Sequence, residues 1–119
     1  MGVDWMEHRG KKILYSDFSN IRRPEDSIEQ LYIMEKKFRE SKEKVRHMLN
    51  FENTAVSPEF MDTAKKVGFG LMPDAEKNAF VKVSPLKSVL LKGFLFFTNG
   101  TEKTKVFDSV EEAKDWLSQ

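Results

Sequence analysis

Apolar residues recur along this chain in two rhythms, every second position or every third to fourth, and the two rhythms alternate. Residues 3–8 and 12–18 read as two strands around Arg9-Gly10-Lys11, with Gly10 supplying the positive backbone angle that a tight hairpin turn needs. A helix follows from Arg23-Pro24-Glu25-Asp26. Asp26 and Glu29 stand at capping-box spacing, while Pro24 in the first turn moves the cap upstream. Ile28, Leu31, Tyr32, Glu35 and Phe38 form its inward stripe, opposite Glu29, Lys36, Lys37 and Glu40. Residues 45–51 are apolar enough for an inner strand. Ser57 then caps a second helix with Pro58 in its first turn, and Phe60, Met61, Ala64 and Val67 give its core stripe.

Residues 79–83 predict a further strand, and Ser84-Pro85 opens a third helix reaching about Phe97. Lys105-Val106-Phe107 is a short last strand. Ser109 and Glu112 box a final helix whose inner face is Val110, Ala113, Trp116 and Leu117. The predicted order is hairpin, helix, strand, helix, strand, helix, strand, helix. That alternation implies an α/β domain with a mixed, mostly parallel sheet of about five strands, four helices and an antiparallel edge strand. Nothing in the chain marks a linker or repeat, so residues 1–119 are read as one domain.

Composition narrows the functional classes. Twenty basic residues against nineteen acidic ones leave a net charge of +1, without the concentrated positive face expected of a nucleic-acid binder. There is no cysteine, which removes thiolate chemistry and disulfides and makes a reducing, cytoplasmic setting the expectation. The longest apolar run, 93–97, is far too short to span a bilayer, and the first residues lack a secretory-signal pattern.

Four segments carry a family likeness: residues 7–19, residues 57–61 around Ser57-Pro58-Glu59-Phe60-Met61, residues 84–94 from Ser84-Pro85 to Phe94, and residues 106–117 at the tail. In this order, and across nearly the whole chain, they resemble the SpoIIAA-like proteins, a STAS-related group of small α/β domains. The resemblance implies a fold like that of anti-sigma-factor antagonists, in which a serine opening the second helix is phosphorylated by a partner kinase. That family's motif sets an Asp, a Ser and a Gly together at the junction; this chain has Ala55-Val56-Ser57-Pro58-Glu59. Lipid-binding domains in the wider group imply a second role, the carriage or sensing of a small apolar ligand.

Ser57 is the candidate phosphoswitch, because a phosphate at a helix amino end faces free amides and the positive end of the dipole. Helix capping also accounts for it fully, and Thr54 carries the same two readings. His8 and His47, the only histidines, lack converging partners in sequence. Asp17, Glu52 and Asp108 follow strands without any metal-ligand spacing. Neither a catalytic set nor a cofactor is expected.

The third helix is the unusual element. Leu86, Val89, Leu90, Phe94 and Phe97 account for one buried stripe, which leaves Leu91, Leu95 and Phe96 in excess, with Gly93 allowing close approach. Three outcomes fit that excess: a deeply packed helix, a subunit contact or an apolar pocket. The chain is therefore expected to act by binding, as a homodimer through this helix or with a regulatory protein partner, the alternative being a small apolar ligand.

Overall fold

The computed structural model describes residues 2–119. Its elements run β1 (Gly2–His8), β2 (Lys11–Asp17), α1 (Pro24–Arg39), β3 (Val45–Asn50), α2 (Pro58–Leu71), β4 (Ala75–Val81), α3 (Pro85–Thr98), β5 (Thr104–Phe107) and α4 (Val110–Leu117). The five strands form one sheet in chain order, β1-β2-β3-β4-β5. β1 is antiparallel to β2 and every other pair is parallel. The α/β architecture, the four helices and the antiparallel edge agree with the expectation from patterning.

The β1–β2 turn places both Arg9 and Gly10 at positive φ, the geometry of a two-residue hairpin loop that matches strand twist. Ser57, Ser84 and Ser109 each accept a hydrogen bond from the backbone amide three residues on, at Phe60, Lys87 and Glu112. α1 begins at Pro24 with Arg23 as its cap position, so the cap lies upstream of Asp26. β4 starts at Ala75, earlier than residue 79, directly after a short 3-10 turn over Met72–Asp74 that contains Pro73.

Two apolar layers sandwich the sheet. On one face α1, α2 and α3 close over Leu14, Phe18, Val45, Leu49 and Phe80. On the other, Ala113 and Leu117 of α4 cover Ile13, Met48, Ala79 and Val81. The stripe of α1 is rotated from the expected one. Ser27, Gln30, Leu31, Met34 and Phe38 point inward, while Tyr32 is exposed. Gln30 can occupy the core because its amide donates to the Asp17 carbonyl, which satisfies both groups.

Phe18 stands at the centre of the larger layer. It stacks on Phe51 at 4.9 Å and meets Phe60 edge-on at 6.2 Å, and Phe51 stacks on Phe80 at 5.7 Å. This aromatic column lies where β2, β3 and β4 end, and it forms the floor of the region between α2 and α3.

Candidate functional site

An apolar cavity of about 80 Å³ opens above that floor, between α2, α3 and the ends of β3 and β4. Its walls include Phe60 and Ala64 from α2, Leu91 and Phe94 from α3, and Phe51 and Phe80 from the sheet side. Every lining side chain is apolar except Lys87. The Lys87 ammonium donates to the Phe51 carbonyl at 3.3 Å, and burial pushes its pKa down. No acidic side chain forms an ion pair with it among the described residues.

A glycine shapes one wall. A side chain at Gly68 of α2 would lie 2.5 Å from the Phe94 ring of α3, so the bare backbone there lets the two helices approach. Phe94 thereby rests on α2 and remains beside the cavity.

The structure reverses the expected facing of α3. Leu91 and Leu95, assigned above to the excess, are the inward residues at 9% exposure each, together with Thr98. Leu86, Val89 and Phe97, expected in the core, are exposed, Phe94 packs partly inward, and Leu90, 38% exposed, both borders the cavity and reaches the surface. Phe96 is exposed as well, at 85%. A helix apolar nearly all round gives periodicity little to choose between, and the neighbours decide its facing.

The outward residues are not scattered. At about 100° per residue, Leu86, Val89, Leu90, Gly93, Phe96 and Phe97 occupy one arc of roughly 120° whose middle is Gly93. A Cβ built on Gly93 meets nothing within 4 Å. Phe69 of α2 extends the patch by packing on Phe97 at 5.9 Å. Of the four residues singled out in sequence, Leu91 thus lines the cavity, Leu95 belongs to the core, and Phe96 and Gly93 lie on the open face.

Ser57 is half-buried and its hydroxyl caps α2, accepting from the Phe60 amide at 3.0 Å. Its replacement by alanine is expected to cost about 1 kcal/mol, read as a lower urea midpoint with unchanged slope. The Thr54 hydroxyl is buried and donates to the Phe18 carbonyl at 2.8 Å, which closes it to a kinase in the folded domain.

The buried Ser16 hydroxyl and His47 Nε2 are hydrogen-bonded at 2.8 Å, a pairing that sequence separation concealed. These are the atom types of a nucleophile and its base, but both residues are enclosed, with His47 packed edge-on to Phe38. Burial alone pushes the imidazole down to about 3, without any carboxylate partner. His8 lies at the surface end of β1, 3.0 Å from Asp115. That hydrogen bond, with Arg9 nearby, holds the Asp115 carboxyl below its usual range.

Two of the strand-end acids are engaged separately, and Asp108 is exposed. Asp17 accepts from the Ser19 amide, and Glu52 pairs with Lys82 at 3.6 Å. Among the described residues no three histidine or acidic side chains converge as a metal site, and no helix is long and apolar enough to cross a membrane. Comparison of the chain with protein-family models, curated proteins and solved structures yields no match.

Proposed function

We propose that this chain is a non-enzymatic, STAS-like interaction domain that binds through the exposed face of α3, with a second copy of itself as the partner. The observation that carries this reading is the continuous apolar arc centred on Gly93. Phe69, Phe96 and Phe97 are 57%, 85% and 50% exposed. At about 200 Å² per ring, these three alone present roughly 400 Å². Leu86, Val89 and Leu90 extend the patch past the roughly 300–600 Å² that monomers commonly leave open, toward the ~800 Å² a stable interface takes from each partner.

A self-complementary surface has its two-fold axis near the patch centre, so each copy meets the same residues of the other. Gly93 occupies that centre. Two antiparallel α3 helices crossing there approach closely, with Phe97 of each copy over Leu86 and Val89 of the other. The net charge of +1 leaves little long-range repulsion between copies.

Light scattering and sedimentation of the wild type are expected to show a dimer, and Phe96→Glu a folded monomer. Because Phe96 is largely exposed, the substitution leaves the monomer core intact. A wild type that stays monomeric at high concentration removes the proposal.

The cavity supports a second reading, the binding of a small apolar ligand between α2, α3 and the sheet. Unfilled apolar space inside a well-packed domain leaves its lining without dispersion partners, and a hydrocarbon group restores them.

A further inference from the structure

We infer that the ligand suited to the cavity is an amphiphilic anion, a short alkyl chain ending in a carboxylate, with Lys87 as its charge partner. The inference rests on the apolar-ligand reading and adds to it a head group. Three features of the site converge on that class.

First, the interior is hydrocarbon throughout, so any polar group carried deep into it would lose its hydrogen bonds to water without replacement. The ligand's buried part is therefore alkyl or aryl. Second, its volume is limited. A cavity near 150 Å³ holds a benzene ring, and at about 80 Å³ this one encloses a shorter hydrocarbon segment. The remainder of the ligand lies in the cleft between α2 and α3.

Third, Lys87 is the one charged side chain in the lining. It sits in the first turn of α3, where its backbone amide is already held by the Ser84 hydroxyl. Its ammonium makes a hydrogen bond to the Phe51 carbonyl. An ammonium has three donors, and a single neutral carbonyl leaves donor capacity and an uncompensated charge at the cavity. Neither α3 nor its Ser84 cap position carries an acid that would neutralise it. A carboxylate placed there gains a charge-assisted hydrogen bond while its tail fills the cavity.

The matched probes are octanoate and 1-octanol, which share the same chain length and differ in the head group. Binding is followed by backbone amide shifts of Leu91 and Phe94 in wild type and Lys87→Met. The expected result is that wild type binds octanoate about tenfold more tightly than octanol, the size of one hydrogen bond to a charged group. Lys87→Met, which keeps most of the stem, is expected to bind both equally. Raising salt is expected to weaken octanoate binding to the wild type alone, which checks the charge without any substitution. Equal affinity of wild type for the two probes overturns the head-group assignment and leaves the apolar-ligand reading standing. Failure of both to shift Leu91 and Phe94 overturns the two together.

Discussion

Replacing Phe18 with alanine is expected to cost about 3–5 kcal/mol, the range for deleting a buried phenylalanine from a packed core. The ring is fully enclosed and touches Phe51 face-on and Phe60 edge-on, so its removal strands both partners. Neighbours cannot easily collapse into the space. Phe51 is held against Phe80, and the Phe18 backbone is fixed from both sides, its amide by the Asn50 carbonyl and its carbonyl by Thr54. A domain of this size has a total stability of about 5–15 kcal/mol, so the loss removes a large share. Urea denaturation of both proteins reads the effect directly. A cost below about 1 kcal/mol would show that the aromatic column is not the centre of the core.

The second large effect concerns acid. In the unfolded chain His47 titrates near 6.5, whereas burial in the folded domain pushes it down to about 3. Between those values the unfolded state binds the proton and the folded state does not, so stability increases with pH across the window. The contribution is fully present above about 6.5. It falls by about 1.4 kcal/mol per pH unit as pH decreases, and the loss is complete near 3. Between pH 7 and pH 4 the wild type is thus expected to lose roughly 3 kcal/mol that His47→Gln keeps. Acidic residues titrate in both proteins and cancel in the difference. Equal losses in the two would contradict a neutral imidazole sealed behind Phe38.

Element order was legible in the sequence because short-range chemistry decides it. A serine cap followed by proline marks α2 and α3, Ser109 with Glu112 marks α4, and Gly10 marks the hairpin. The facing of helices was legible only where one stripe was clearly more apolar. In α4 the expected Ala113 and Leu117 are the buried pair. In α1, Tyr32 was exchanged for Met34 because a polar Gln30 finds a carbonyl inside, a partner that no local pattern announces. In α3 two opposite stripes compete, and tertiary contacts settle the choice: Gly68 admits the Phe94 ring, and Gly100 lies against Leu95 and Met72.

The candidate site was legible to the same extent. Excess hydrocarbon on α3 was visible, but its division into a cavity wall and an open face required the fold. No local pattern marks Lys87, whose hydrogen-bond partner is a carbonyl 36 residues earlier in the chain. The Ser16–His47 pair bridges β2 and β3, and only the strand register brings the two together.

Sheet order that repeats chain order has a consequence for biogenesis. Each strand docks on the one made just before it, so a polypeptide leaving the ribosome extends a single growing border. After β1, each newly made strand finds a neighbour that has already been translated. β5, only four residues long, then leaves a short final border with little backbone free to recruit stray strands.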